Sequence, residues 1–287
     1  FSDLCKCVAK LKSLDDTSIV AEAAIVYSCE ADASFRIQPQ VEGFDYLEQL
    51  KSFHRALTGF GANVDVVSPN ADLSGYKLVI VPSMYVNKKT AAENIYRYVI
   101  NGGTLVMTAR SGVRDENNCG TSEPPPTVFR ELIGAEIHDY EIIGGETRVI
   151  RDFAGNTFNC SQWCDILTPL TARAYAVYEG ESDTAAVTMN RYCGGISYYV
   201  GTMCGDDFYQ SFISNLMMQT GIPKLENLEK GIEITTRTNG RDDFICFFNN
   251  TKKSTVIPLP KPMYSIIDDR EIDVVELRSL EMKIVRK

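Results

Sequence analysis

Residues 77–112, KLVIVPSMYVNKKTAAENIYRYVINGGTLVMTARSG, decide the fold class of this chain. The segment opens with the apolar run Lys77–Pro82 and closes with a second one, Thr104–Thr108. Short runs without polar alternation are typical of parallel strands that are buried on both faces. Between them, Thr90–Ile100 has helical spacing and is followed by the stop signal Asn101-Gly102-Gly103. Strand, helix and strand with short connections predict a doubly wound α/β domain.

The flanking sequence continues this pattern in both directions. Upstream we expect a strand, a loop, an amphipathic helix and a strand: Ala23–Cys29, a loop with Gln38, Pro39 and Gly43, Tyr46–Phe60, and Asn63–Val67. Downstream we expect a surface loop over residues 111–126, then one short helix, four strands and a final helix: Val128–Ile133, Glu141–Ile150, Ala172–Tyr178, Ala185–Met189, Ile196–Val200 and Phe208–Met218.

The two ends of the chain have a different character. Residues 3–14 have helical spacing and are interpreted as a linking helix. From Leu228 onward the sequence has the alternation of antiparallel strands, with the hairpin signal Asn239-Gly240. The predicted strands are Ile232–Arg237, Phe244–Phe248, Thr255–Leu259, Tyr264–Ile267, Val274–Leu277 and Met282–Val285. We therefore predict three parts: a linking helix (1–18), the α/β domain (19–226) and a small antiparallel β-sandwich domain (227–287).

Composition excludes several classes of function. The 287 residues carry a net charge of −9, which disfavours binding to a phosphate backbone, so no nucleic-acid partner is expected. No apolar run approaches the ~20 residues of a membrane span, so no membrane is expected either. Nine irregularly spaced cysteines and only two histidines indicate free thiols in a reducing cytosol rather than a metal site, and no cofactor is expected. The chain starts at Phe1 without a signal-peptide pattern, which favours a cytoplasmic protein and the interior of a longer polypeptide.

The residues that follow the strand ending at Thr108 argue against catalysis. In class I glutamine amidotransferases the comparable strand ends in Gly-x-Cys-x-Gly, whose cysteine is the nucleophile. Here the stretch is Ala109-Arg110-Ser111-Gly112. Arginine stays protonated and cannot attack a carbonyl, so Arg110 fits the fold but not the reaction.

A complete glycosidase is also not expected. A β/α barrel needs eight units and ~250 residues, whereas this chain offers about three such units. The acidic residues Asp115, Glu116, Asp183, Asp206 and Asp207 fall in predicted loops or helix starts rather than on paired strand ends. Asp206 and Asp207 are interpreted as charges that favour the N-terminus of a helix. No residue is therefore assigned a catalytic role.

Seven residues remain candidates for an interface or for the lining of a pocket. They are Arg110, Ser111, Arg114, Asp115, Glu116, Asn117 and Trp163. The first six surround the carboxyl end of the fourth parallel strand, where α/β folds place their sites, but a solvated loop is an equally good interpretation of 114–117. Trp163, the only tryptophan, is suited either to the core or an interface, or to stacking on a sugar.

Motifs along nearly the whole chain resemble one known family, the trimerisation domain of glycoside hydrolase family 42 β-galactosidases. They are Tyr46-Leu47-Glu48-Gln49-Leu50, Phe53, Arg55-Ala56-Leu57, Val64-Asp65-Val66-Val67, residues 71–82 (ADLSGYKLVIVP), Gly102-Gly103-Thr104-Leu105-Val106, Arg110-Ser111-Gly112, Asp115-Glu116-Asn117, Ala186-Val187-Thr188, Asn190-Arg191 and Tyr198-Tyr199-Val200-Gly201-Thr202. The tail from 228 resembles the small C-terminal β domain of that family, and the loops at 30–43 and 117–127 depart from many relatives.

The resemblance implies a flavodoxin-like, class I glutamine amidotransferase-like domain that associates into a homotrimer near a neighbouring subunit's active site. It also implies that the catalytic glutamates lie on a barrel preceding Phe1, so that a galactoside would be bound only through that barrel. The expected function is subunit association in a β-galactosidase. Two alternatives stay open at this point: a module that binds a sugar or small ligand near Arg110, and an enzyme with its own acyl-transfer chemistry.

Overall fold

The computed structural model of the protein describes residues 8–180, 184–225 and 228–287. These residues form two compact units. The larger comprises Ala23–Ala56 and Val64–Ile222, and the smaller comprises the described parts of Phe1–Glu22, Leu57–Asn63 and Pro223–Lys287. Two predicted features lie outside the described residues: the first part of the linking helix (residues 1–7) and the boundary at 226–227. Residues 8–14 are helical and end in a 3-10 turn, Leu11–Leu14.

The strands are numbered here in chain order. Those within the described residues are β1 (Ser18–Ile19), β2 (Ala23–Val26), β3 (Val64–Val67), β4 (Leu78–Val81), β5 (Thr104–Thr108), β6 (Ala135–Asp152), β7 (Thr157–Pro169), β8 (Arg173–Tyr178), β9 (Ala185–Tyr192), β10 (Gly195–Val200), β11 (Thr202–Cys204), β12 (Ile232–Thr238), β13 (Asp243–Asn249), β14 (Thr255–Ser265), β15 (Arg270–Leu277) and β16 (Met282–Arg286). The α-helices are Cys29–Ile37, Tyr46–Gly59, Lys89–Ile100, Arg130–Ile133 and Asp206–Thr220, with a 3-10 turn at Thr127–Phe129.

Half of the ten-stranded sheet in the larger unit is parallel. Its order in space is β3-β2-β4-β5-β10, which is second, first, third, fourth and fifth in chain order. Every residue of Leu78–Val81 has 0% exposure, as expected for a parallel strand that is covered on both faces. The predicted mixed α/β arrangement is therefore confirmed, and β5 ends between two parallel neighbours.

The other half of the sheet is antiparallel and was predicted less completely. It continues β10-β9-β8-β6-β7-β11, with β6 and β7 forming a long hairpin. Two of these strands, β7 and β11, were missed by the sequence analysis. Polar residues such as Asn159, Gln162 and Asp165 break the apolar pattern of β7, although Asp165 itself is buried.

The helix Cys29–Ile37 was not predicted, and the strand before it ends at Val26 rather than at the predicted Cys29. The helix begins after Ser28, whose hydroxyl oxygen accepts the backbone N–H of Ala31 at 3.2 Å. Ala31 and Phe35, one turn apart, are the buried apolar positions of its inner face. With so few apolar residues the helix resembles a polar loop in sequence, because its stability comes from the cap and the packing of Phe35.

The remaining predicted helices of the larger unit are confirmed. Tyr46–Gly59, Lys89–Ile100 and Asp206–Thr220 agree with the expected segments to within a few residues. The ring centroids of Phe53 and Tyr209 lie 4.7 Å apart, which packs the first of these helices against the last.

The smaller unit contains one six-stranded sheet, in the order β1-β12-β13-β16-β14-β15. The hairpin predicted at Asn239-Gly240 is confirmed, since β12 pairs with β13 across that turn and Gly240 has φ +83°. The two strands predicted at Thr255–Leu259 and Tyr264–Ile267 are one continuous strand with an irregularity between Pro258 and Met263. All six strands hydrogen-bond into a single sheet, so the predicted β-sandwich is not confirmed.

Candidate functional site

The end of β5 is a tight turn that holds Arg110 in a strained backbone conformation. Arg110 has φ +69°, a left-handed value that is uncommon for residues other than glycine and tends to mark functional or strained sites. The turn is closed by a hydrogen bond from the Ser111 N–H to the Thr108 carbonyl at 3.2 Å. The preceding residue, Ala109, donates its N–H to Val200 on the neighbouring strand at 2.7 Å. The chain therefore turns sharply directly after β5, and the residue at this turn is Arg110.

The side chain of Arg110 is surrounded by aromatic rings. The central carbon of its guanidinium lies 4.2 Å from the ring centroid of Trp163, 5.3 Å from that of Tyr85 and 5.7 Å from that of Tyr140. One terminal nitrogen donates to Oε1 of Gln40 at 3.0 Å. The buried Nε finds no acceptor among the described residues. Stacking of this kind suits arginine, whose flat guanidinium is weakly hydrated.

A bulge in β7 places Trp163 against Arg110. Gln162 has φ +65°, and the pairing of β7 with β11 shifts register at this point. The Gln162 side chain donates to the Gly43 carbonyl at 2.9 Å, which fixes the bulge from outside the strand. Trp163 is 2% exposed, and its ring stacks on that of Tyr140 with centroids 4.4 Å apart. Bulges commonly re-aim a side chain in this way.

A buried carboxylate is hydrogen-bonded to Trp163. Asp165 is 1% exposed and accepts hydrogen bonds from the indole N–H of Trp163 at 2.6 Å and from the hydroxyl of Tyr199 at 2.9 Å. Burial raises the pKa of Asp165 to about 6, and it outweighs the indole hydrogen bond and the Arg110 charge, which both lower the pKa. Arg110 therefore offsets part of the electrostatic cost of a buried carboxylate.

Ser111 has a structural role, because it connects the residues after β5 to those after β4. It is fully buried, and its hydroxyl oxygen accepts the Met84 N–H at 3.0 Å. The nearby Ser83 hydroxyl lies 2.8 Å from the carbonyl oxygen of Ala109 and 2.7 Å from Oε1 of Gln49. These bonds tie the residues after β4 to the residues after β5.

Residues 114–117 lie at a separate place from the Arg110 cluster. The Arg114 Nε donates to the Tyr85 hydroxyl at 3.1 Å, so the Tyr85 ring contacts both arginines. Asp115 folds back on its own loop and accepts the Asn117 N–H at 2.9 Å. Glu116 and Asn117 are exposed. All four residues line an open groove of about 1000 Å³ beside the helix Lys89–Ile100.

The seven predicted residues thus divide between two places that share Tyr85. Arg110, Ser111 and Trp163 belong to the buried cluster, whereas 114–117 border the groove. The sequence analysis missed Asp165, Tyr85 and Tyr140. A carboxylate two residues after a tryptophan in a strand shares a face with it, and that spacing was the available signal for Asp165.

His138, Asp206 and Asp207 lie outside this cluster and occupy ordinary structural positions. His138 Nε2 lies 2.7 Å from Oε1 of Glu136, two residues earlier on the same strand. Asp206 and Asp207 occupy the first turn of the helix Asp206–Thr220, as predicted. Asp183 lies outside the described residues.

Within residues 8–180, 184–225 and 228–287, no three His, Cys, Asp or Glu side chains gather where they could hold a metal ion. Across the same ranges, no helix combines the length and the apolar character that a membrane crossing requires.

Comparison with known proteins gives one consistent family. The family model described as the β-galactosidase trimerisation domain matches residues 21–223. The β-galactosidase BgaA of Clostridium cellulovorans is 38% identical over 256 residues, which are 88% of this chain and 39% of that protein. The β-galactosidase BgaB of a Geobacillus species is 26% identical over 275 residues, 94% of this chain and 41% of that protein.

A solved structure agrees with the sequence matches. The crystal structure of a β-galactosidase from Bacillus circulans sp. alkalophilus superposes with a TM-score of 0.93 at 25% identity, covering 100% of this chain and 44% of that one. The chain thus spans about two fifths of the length of the relatives that it matches. None of these likenesses supports the alternative of a ligand-binding module. Since the family model covers most of the larger unit, from Ala23 to Ile222, the chain belongs to the β-galactosidase trimerisation domain family.

Proposed function

We propose that this chain is the non-catalytic, subunit-association portion of a β-galactosidase. The whole protein hydrolyses terminal β-D-galactosides through a β/α barrel that lies outside these 287 residues, and it assembles as a homotrimer in the cytoplasm. Support comes from the family match over residues 21–223 and from relatives that are named β-galactosidases. A galactoside substrate then contacts this chain only through the assembled enzyme.

The geometry at the end of β5 is the observation that carries the non-catalytic part of the proposal. The strand order second-first-third-fourth-fifth supports a flavodoxin-like assignment, and flavodoxin-like folds bind ligands at the carboxyl ends of the strands. Class I glutamine amidotransferases keep their nucleophile at such an elbow. Here the elbow residue is Arg110, committed to Trp163 at 4.2 Å and to Gln40 at 3.0 Å. We therefore propose an amidotransferase-like domain without amidotransferase chemistry.

The domain organisation stays a proposal in the form predicted from sequence. It assigns residues 1–18 to a linking helix, 19–226 to the association domain and 227–287 to a small β domain. In that organisation, the groove formed by 114–117 and the helix Lys89–Ile100 faces a neighbouring subunit, while the Arg110 cluster stiffens the loops behind it. Exposed charges such as Glu116 suit the rim of an interface rather than its apolar centre.

A matched pair of charge reversals in the full-length protein tests this assignment. Glu116→Arg reverses a charge that lines the groove, and Glu179→Arg reverses a charge at an exposed position elsewhere on the larger unit. Sedimentation equilibrium is expected to show a trimer for the parent protein and for Glu179→Arg. For Glu116→Arg we expect a dissociation constant at least ~10-fold higher, because charge reversal at an interface typically costs more than 1 kcal/mol.

Two outcomes would count against the proposal. A parent protein that stays monomeric at high concentration removes the subunit-association function altogether. Equal dissociation constants for the two variants leave self-association intact but place it on another surface. Hydrolysis of 4-nitrophenyl β-D-galactoside by the parent protein, measured on the same samples, checks the proposed activity separately.

A further inference from the structure

Two buried thiols lie side by side in β7. The sulfur atoms of Cys160 and Cys164 are 4.0 Å apart, and the residues are 1% and 0% exposed. In an extended strand, residues four apart are separated by roughly 13 Å, so their side chains do not meet. The contact between these two sulfurs therefore requires a distortion of the strand.

The bulge at Gln162 supplies that distortion. Cys160 and Cys164 pair with Cys204 and Thr202 of β11, which are only two residues apart, so β7 carries two extra residues between its thiols. Two residue steps on β11 span about 7 Å. That brings the two Cα atoms close to the upper end of the range of about 4.4–6.8 Å that disulfides bridge. Joining the sulfurs then requires rotation of the two side chains and a small inward movement of the backbone between them.

The surroundings make the two thiols unequal. The Thr202 hydroxyl oxygen lies 3.4 Å from the Cys164 sulfur, whereas the S–H of Cys160 donates to the Arg148 carbonyl oxygen at 3.2 Å. Hydrogen bonding from Cys160 lowers the pKa of Cys164, and the Arg148 charge acts in the same direction. The same contact raises the pKa of Cys160. The carbonyl contact favours the protonated form of Cys160, and the hydroxyl beside Cys164 can donate to a thiolate there, so the geometry assigns the attack to Cys164.

We infer that Cys160 and Cys164 form a redox-active dithiol, a modification site that hydrogen peroxide converts into a disulfide within β7. The Cys164 thiolate attacks one peroxide oxygen and breaks the O–O bond, which gives a sulfenic acid and hydroxide. The Cys160 sulfur then attacks the Cys164 sulfur, the S–O bond breaks, and water leaves with the thiol proton. Two thiols lose two electrons to one peroxide, which becomes two water molecules, and an added dithiol reductant reverses the change.

The disulfide has a structural consequence, because the bulge between the thiols carries Gln162 and Trp163. Bringing the sulfurs from 4.0 Å to a bond of about 2.05 Å tightens that bulge. The Trp163 ring, which stacks on Arg110, then shifts with it. The site is independent of the proposed subunit association, since it is defined by β7 and β11 within one chain.

Peptide mapping of the full-length protein tests the inference without any substitution. The protein is treated with hydrogen peroxide, denatured, alkylated and digested with trypsin, which releases residues 152–173 with both thiols on one peptide. The expected product is that peptide, lighter by about 2 Da, unalkylated and restored by dithiothreitol. Recovery of the peptide with both thiols alkylated overturns the inference, and so does a link from Cys160 to Cys204, which is partly exposed.

Two variants assign the roles of the sulfurs. In Cys160→Ser, Cys164 is expected to stop at the sulfenic acid and to react with dimedone at least ~10-fold faster than Cys246, a buried cysteine of the smaller unit. In Cys164→Ser, Cys160 is expected to stay reduced. Equal dimedone labelling of Cys160 and Cys164 in the two variants contradicts the assigned order of attack. Cys246→Ser, the matched control, leaves the disulfide yield unchanged.

Discussion

Replacing Arg110 with alanine removes a charge that stacks on Trp163 and opposes the buried Asp165 carboxylate. Loss of the cation–π contact costs about 1 kcal/mol at a half-buried site. Loss of the opposing charge adds about 1–2 kcal/mol, less than for a fully buried ion pair because Asp165 keeps its bonds from Trp163 and Tyr199. We therefore expect Arg110→Ala to lower the free energy of unfolding of the larger unit by about 2–3 kcal/mol.

A second substitution at the same position separates backbone strain from side-chain contacts. Because Arg110 has φ +69°, glycine accepts the backbone there more readily than alanine. Arg110→Gly loses the same contacts but is expected to be about 1 kcal/mol more stable than Arg110→Ala. A glycine variant that is less stable than the alanine variant would contradict the strained turn.

The assay can be local, because Trp163 is the only tryptophan in these 287 residues. Its fluorescence, followed during urea unfolding of this chain, reports on the unit that contains β7. With a slope of roughly 2 kcal/mol per M, Arg110→Ala shifts the midpoint down by about 1 M at an unchanged slope. A midpoint within about 0.2 M of the parent would refute the stabilising role of Arg110.

Three further predictions use other positions. Ser28→Ala removes the cap of the helix Cys29–Ile37 and should cost about 1 kcal/mol in urea unfolding, with no loss contradicting the cap. The pKa of Asp165 is raised from 3.8 to about 6, so the folded protein binds a proton at this residue more tightly than the unfolded chain does. This difference adds about 2–3 kcal/mol to the free energy of unfolding below pH 3.8, and the contribution is lost as the pH rises through 6. Stability measured from pH 4 to 7 should show this fall in the parent chain, and an equal fall in Asp165→Asn would contradict it. Gly112 has φ +73°, and a Cβ added there would lie 2.5 Å from the Pro126 carbonyl oxygen, so Gly112→Ala should lower the free energy of unfolding by more than about 2 kcal/mol. Gly155 has φ +89° but open space around it, so Gly155→Ala should lower that free energy by only about 1 kcal/mol. Equal decreases in melting temperature for the two variants would contradict this difference.

The parallel half of the sheet could be predicted from sequence because its signals are local. Strands such as Leu78–Val81 are apolar throughout, and the helix Lys89–Ile100 ends at the clear signal Asn101-Gly102-Gly103. Burial on both faces leaves no polar alternation to confuse the pattern. The hairpin at Asn239-Gly240 could also be predicted from sequence, because tight hairpin turns require positive φ angles that Asn and Gly adopt readily.

The antiparallel half and the buried cluster depend on contacts that are distant in sequence. β7 carries Gln162 and Asp165 among apolar residues, and only the bulge and the partners from other strands explain why these polar groups are there. The position of Arg110 was predicted, but its stacking on Trp163 was not, because the two residues meet through a bulge 53 positions away along the chain. The single sheet of the smaller unit was not predicted either, because the order in which strands pair depends on contacts between residues that are distant in sequence.

The hydrolysis of 4-nitrophenyl β-D-galactoside by this chain and by the full-length protein that carries it, compared at equal molar concentration, tests whether the chain is non-catalytic. We expect rapid release of nitrophenol by the full-length protein and a rate indistinguishable from buffer for the 287-residue chain. Hydrolysis by the chain alone that persists in Arg110→Ala but disappears on substitution of one of its own carboxylates would contradict the central claim.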